Sequence, residues 1–261
     1  MNIVFRPHTN NNHTVFSSAI RERTTNLHDK EIKTPKKIPF SEVFLSSYLL
    51  YRLRNLGKES YSFNYDLLEK SGIPNLHPLN DDGVRGSTLS GRQGRKFIPV
   101  LKKAGIKNVI DLRGGDASSV YEDICKKNGL KYYHIPIDSE SMNSKDIIEK
   151  LPELFDVMNK GKFYIACAQG LHRTDIAVAM NYLFNPKSSS VPPKMYGHIS
   201  SDGFKQQGIF NRTNSIFKNM TQEDKNKLGL SDFSKEDYKK KKKILSSANE
   251  KYAKEIMNAP D

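Results

Sequence analysis

Apolar and polar positions along this chain follow two different periods, and the changes between them mark out its elements. Val43 to Leu56 has the helical period, with Val43, Leu45, Tyr48, Leu49, Tyr51, Leu53 and Leu56 spaced to share a face. It predicts a helix that packs on a core. Residues 1–38 before it are polar and include Asn10, Asn11, Asn12 and the basic Lys33 to Lys37 stretch, and they read as a flexible basic arm. Residues 39–83 read as a helical and loop extension, because residues 71–94 are rich in Gly, Pro, Asn and Ser. A regular alternation then begins. Phe97–Ala104 predicts a helix stopped at Gly105, and Val109–Leu112 a buried strand. Ser118–Asn128 predicts a helix closed by Gly129, and Tyr132–Ile137 a second strand. Ile147, Ile148, Leu151, Leu154, Phe155 and Met158 predict a helix that Pro152 either kinks or begins. Phe163–Ala166 predicts a third strand ending at Cys167, and Ile176–Phe184 another helix.

This alternation predicts an α/β fold with a mostly parallel central sheet flanked by helices, with extra N- and C-terminal helical segments. Residues 84–185 form its core. Beyond Asn185, Pro186, Pro192, Pro193 and a serine run break the pattern. Residues 186–261 read as a Lys-rich extension of two or three helices. The last, from about Lys235 to Met257, carries Lys239–Lys243 and so few apolar residues that it reads as solvated.

Ligands in such sheets sit beyond the carboxyl ends of the strands. Cys167 falls at such an end, and it opens the run Cys167-Ala168-Gln169-Gly170-Leu171-His172-Arg173-Thr174. Cleaving a phosphate ester calls for an ionised nucleophile, and a thiolate is readily generated. Backbone N–H groups of a tight loop entering a helix cradle an anion and lower a thiol pKa. Gly170 lets the loop bend. Arg173 offers a planar fork to two phosphate oxygens. Thr174 can donate to the sulfur. Gly, Arg and Ser or Thr at these spacings arise by chance roughly once per two thousand cysteines. Cys125 lies instead on the apolar face of a predicted helix and reads as packing.

The run resembles the Cys-X5-Arg signature of the protein tyrosine and dual-specificity phosphatase superfamily, most closely its atypical dual-specificity branch. Arg85-Gly86-Ser87, Ala104–Arg113 and Tyr133–Asp138 resemble further pieces of those domains in the same order, over about residues 84 to 185. The resemblance implies a cysteine-dependent phosphatase without cofactor or metal. Cys167 would form a phosphocysteine, Arg173 would bind the phosphate, and Thr174 would assist thiolate departure. The backbone of Ala168, Gln169, Gly170, Leu171 and His172 would line the cradle. Asp138 would be the general acid, with Asp146 and Glu140 as rivals. His172 either orders the loop or touches substrate. Two positions depart from the family's pattern. Ala166 stands where a His is common. Asp175 stands where Gly is usual, and a carboxylate there would oppose a phosphate or move a proton.

Charge widens the substrate question. The net charge of +13 over 261 residues suits anionic partners, and the basic flanks can contact polyanions. The leading expectation is hydrolysis of phosphomonoesters in phosphorylated proteins. Inositol phosphates, phosphoinositides or RNA 5′ phosphates form a second reading, and a phosphate-binding pseudophosphatase a third. Two cysteines make no disulfide framework, and Met1–Asn12 has no continuous apolar stretch like a secretory signal. No apolar run has membrane-spanning length, so stable membrane insertion is not expected. The expected address is cytoplasmic, including that of a host cell if a bacterium delivers the protein.

Overall fold

The computed structural model describes residues 61–80, 82–115, 119–137, 143–200 and 203–258. The arm at 1–38, the helix predicted at Val43–Leu56, Asp138 and Glu140 lie outside them.

A short helix α1 (Tyr65–Glu69) leads to β1 (His77–Asn80) and β2 (Gly83–Ser87). Helix α2 (Gly91–Lys103), β3 (Asn108–Asp111), α3 (Ser119–Lys127), β4 (Lys131–His134), α4 (Ser144–Asn159), β5 (Phe163–Cys167) and α5 (His172–Phe184) follow. A 3-10 turn (Tyr196–His198) then precedes a small hairpin, β6 (Ile199–Ser200) with β7 (Gly203–Phe204). Helices α6 (Gln206–Asn219), α7 (Gln222–Lys227) and α8 (Lys235–Asn258) close the described chain. The main sheet has the order β1-β2-β5-β3-β4. β1 runs antiparallel to β2, and the other pairings are parallel. This is the α/β fold with a mostly parallel sheet that the alternation predicts.

β5 is the central strand, and all five of its residues are buried. Successive side chains alternate between faces. Phe163, Ile165 and Cys167 join one apolar layer with α4, α5, α6 and α8, while Tyr164 and Ala166 join the other with α2 and α3. β5 is therefore covered on both sides.

Two stretches differ from the sequence reading. Residues 71–94 are not mostly loop: they hold β1, β2 and the first turn of α2, which starts at Gly91 rather than Phe97. β2 looks unlike a strand because its neighbour leaves it no room for side chains. A Cβ at Gly83 would strike the Phe163 ring, and one at Gly86 would strike the Tyr164 hydroxyl. Packing against β5 overrides the local loop signal. Pro152 likewise neither starts nor ends α4: Asn143 caps that helix, accepting from the N–H groups of Lys145 (2.8 Å) and Asp146 (3.0 Å), and Pro152 lies inside it.

The Lys-rich helix α8 is not simply solvated. It buries Tyr238, Leu245, Asn249, Tyr252, Ala253 and Ile256 along one face. Asn249 accepts from the Met195 N–H (2.8 Å) and donates to the carbonyls of Pro193 and Leu245 (3.0 Å each). Lys241 and Lys242 lie over aromatic rings of Tyr182, Phe233 and Phe210 while their amino groups bond Tyr182 O and Asn214 Oδ1. Their long stems supply the apolar contact that a count of apolar residues overlooks. No helix among the described residues is long and apolar enough to cross a membrane.

Candidate active site

The β5 strand delivers Cys167 to the carboxyl edge of the sheet, beside Ser87 at the end of β2. The chain turns through 168–171 and enters α5 at His172, so the loop faces the positive end of a helix dipole. Gly170 has φ +69, and a Cβ there would collide with the carbonyl of Gly86. The turn thus requires glycine for its backbone and for its space.

Three successive loop carbonyls are held from outside. Gln169 O accepts from Asn75 Nδ2 (2.9 Å) and Ser87 Oγ (3.2 Å). Gly170 O accepts from Arg85 Nε (2.9 Å), and Leu171 O from a second nitrogen of Arg85 (2.7 Å). A trans peptide places its N–H opposite its C=O. The N–H groups of Gly170, Leu171 and His172 therefore point the other way, into the space the loop encloses.

Cys167 is nearly buried, and burial pushes its thiol up. Hydrogen bonds from the Thr174 hydroxyl and from the backbone of Thr174 and Gln169 pull it down, aided by the charge of Arg85. The net result lies below the ordinary thiol value. Thr174 is itself fully buried, and its hydroxyl has no oxygen or nitrogen partner among the described residues. Arg173 is half-buried, with no hydrogen bond or ion pair among the described residues. Ala168, Gln169 and His172 are exposed, while Gly170 and Leu171 are buried. Cys125 behaves oppositely to Cys167: fully buried in the other apolar layer, its thiol is pushed up to about 12, first by burial and then by Asp111 and Glu122.

The sequence of this region matches a known family. Residues 84–213 match the family of DSP-PTPase phosphatases fused to NAD+ kinase. Those residues belong to the cysteine-dependent dual-specificity and tyrosine phosphatase superfamily. No curated protein sequence matches the chain significantly. Among similar solved structures is a DUF442 phosphatase of Shewanella putrefaciens CN-32, 14% identical, covering 70% of this chain and 97% of its own, with a TM-score of 0.38. The core catalytic domain of the PP-IP phosphatase Siw14 of S. cerevisiae is 18% identical, covers 68% and 95%, and has a TM-score of 0.36. TpbA of P. aeruginosa is 14% identical, covers 71% and 91%, and has a TM-score of 0.36.

Residues 84–213 are accordingly those of a cysteine-dependent phosphatase. The family match runs past residue 185 and takes in the 3-10 turn and most of α6. β5 ends at Cys167, as the sequence reading expects, and Thr174 helps to lower the thiol of that residue. Of the acid candidates, Asp138 and Glu140 lie outside the described residues, and Asp146 stands half-exposed in the first turn of α4.

Two residues have environments that the sequence did not reveal. Arg85 is fully buried and spends its donors on Gly170, Leu171 and Asp175, so it is not a free cation beside the loop. Asp175 is fully buried too. One oxygen pairs with Arg85, and the other accepts from the Gly197 N–H and His198 Nδ1, each at 2.8 Å. It therefore presents no free carboxylate to a bound phosphate. The departure from Gly at 175 and the Arg85-Gly86-Ser87 segment were both visible in the sequence, but not that they belong together. Asn75, with φ +52, carried no motif to mark it. Among the described residues no His, Cys, Asp and Glu side chains converge as a metal-ligand group.

Proposed function

We propose that the chain hydrolyses phosphomonoesters through a phosphocysteine, with phosphotyrosine or phosphoserine and phosphothreonine in proteins as substrates. One observation carries this reading: a thiol held below its ordinary value opens a loop whose carbonyls are bonded from outside, with Arg173 six residues on and its side chain without a partner among the described residues. The Cys167 thiolate attacks phosphorus and the bond from phosphorus to the ester oxygen breaks. Arg173 and the loop N–H groups hold the three remaining oxygens as charge spreads over them. The leaving oxygen takes a proton from the general acid, for which Asp138 is our choice. Water then attacks the phosphocysteine, giving its proton back to that carboxylate. Phosphate leaves, and the Thr174 hydroxyl supports the departing thiolate.

The cation supply at the loop favours a single phosphate. Arg85 is neutralised by Asp175, and the exposed loop side chains are Ala168, Gln169 and His172. Arg173 is left as the loop's guanidinium without a partner among the described residues. A densely phosphorylated ring calls for several such charges.

Initial rates on a phosphotyrosine peptide, a phosphoserine peptide, inositol polyphosphates and an RNA 5′ phosphate test this, with Cys167→Ser as the blank. We expect the highest kcat/KM on the peptides. Inositol polyphosphate or RNA as the best substrate would replace the protein reading. Phosphate binding with no turnover on any of them would make the loop a binding site alone.

A further inference from the structure

The chemistry proposed for the loop leaves the buried carboxylate of Asp175 without a task. Asp175 lies in the first turn of α5, two residues after Arg173, and is fully buried. Its first partner, Arg85, is also fully buried, with its guanidinium 5.3 Å from the centre of the Tyr196 ring. Arg85 cannot reach a substrate, because its Nε holds Gly170 O and another nitrogen holds Leu171 O. Without Asp175 a buried guanidinium would face only carbonyl dipoles, an uncompensated buried charge that destabilises the loop. The second oxygen of Asp175 takes the N–H of Gly197 and the ring of His198. Gly197 packs so closely on the loop that a Cβ there would lie 2.8 Å from the carbonyl carbon of Leu171. His198 is nearly buried, and its ring meets the exposed His172 edge-on at 5.4 Å.

We propose that Asp175 is a positioning residue: by fixing Arg85 on the carbonyls of Gly170 and Leu171 and gripping Gly197 and His198, it keeps the anion cradle in its binding shape. The inference rests on reading the Cys167 loop as an anion site. Under it, the 3-10 turn belongs to the phosphate-binding apparatus although none of its residues touches phosphate.

Charge and position predict opposite results for Asp175→Asn. If Asp175 acted only through its negative charge, removing that charge would unmask Arg85, and inorganic phosphate would bind more tightly. If Asp175 positions the loop, phosphate binds more weakly. The measurement is protection of Cys167 from iodoacetate by inorganic phosphate, with kcat and KM on a phosphopeptide alongside. We expect Asp175→Asn to need at least about tenfold more phosphate for half-protection, with KM rising as well. Because this variant leaves the buried Arg85 without its counter-charge, a milder pair is measured beside it. His198→Leu removes a donor to Asp175, whereas His198→Asn can restore one from nearly the same place. His198→Leu is expected to weaken phosphate binding about threefold or more, and His198→Asn to recover most of it.

Unchanged or tighter phosphate binding in Asp175→Asn overturns the inference, as does equal behaviour of the two His198 variants if Asp175→Asn does not fold. Absence of protection in the wild type defeats the anion-site reading itself, and this inference with it.

Discussion

The two cysteines of this chain differ by environment alone, and that difference is measurable. Cys167 sits among N–H groups and the Thr174 hydroxyl, and its thiol is held below the ordinary value. Cys125 sits among apolar side chains, and its thiol is pushed up to about 12. A lowered pKa means that thiolate persists as pH falls, so a thiol reagent at pH 6 should modify Cys167 first and leave Cys125 intact until the chain unfolds. Mass mapping of the labelled peptide reads this directly, and preferential labelling of Cys125 would contradict both environments. Cys167→Ser keeps nearly the same volume but loses the ionisable nucleophile, so turnover should fall at least about a thousandfold with the melting temperature unchanged. Arg173→Lys keeps the charge and loses the fork. A loss of roughly 10²–10³ in kcat is expected, the scale of removing one preorganised donor. Asp138→Asn addresses the proton. A general acid contributes about 10²–10⁴, and a poor leaving group needs it most. Phosphopeptide hydrolysis should therefore drop far more than hydrolysis of a nitrophenyl phosphate. Equal rates in wild type and variant on both substrates would pass the role to Asp146 or Glu140.

At the scale of elements, the loop and its two neighbouring strands behave as one piece. Gly170→Ala meets both a left-handed backbone and the Gly86 carbonyl, so it should abolish phosphate binding and lower stability. Gly91, with φ +56, has open space around its missing Cβ. Gly91→Ala should cost only the backbone term, about 1–2 kcal/mol, and keep activity. Thermal melts and phosphate protection on the two variants separate space from conformation. The same contrast explains what could be read from the sequence. β3, β4, β5, α3, α4 and α5 follow from periodicity, because each carries its own apolar pattern. β2 does not, because its glycines answer to the rings of Phe163 and Tyr164 some eighty residues onward in the chain, a partner that no local window contains. The candidate loop is legible because Cys167, Gly170, Arg173 and Thr174 are close in sequence. The Arg85–Asp175 pair is not, because its members lie 90 residues apart and no local pattern joins them.

Across the whole molecule, the C-terminal helix reaches the active loop through packing. Leu171, Tyr196, Ile199, Tyr252, Ala253 and Ile256 form one apolar cluster. Ile256→Ala should destabilise the fold by about 2–5 kcal/mol. Because the cluster includes Leu171, KM should rise even at temperatures well below the melt. Calorimetry with steady-state rates checks both parts, and an unchanged KM would mean that the cluster supports only stability. The order of the sheet also has a bearing on biosynthesis. β2 and β3 follow one another in the chain, but they are not neighbours: β5 lies between them. A nascent polypeptide that has reached β4 has two strands whose central slot stands vacant, each with an unpaired edge. Such edges invite pairing with other chains. Ribosomal pausing before residue 163 would prolong that exposure, and chaperone dependence should be greatest for nascent chains that end there.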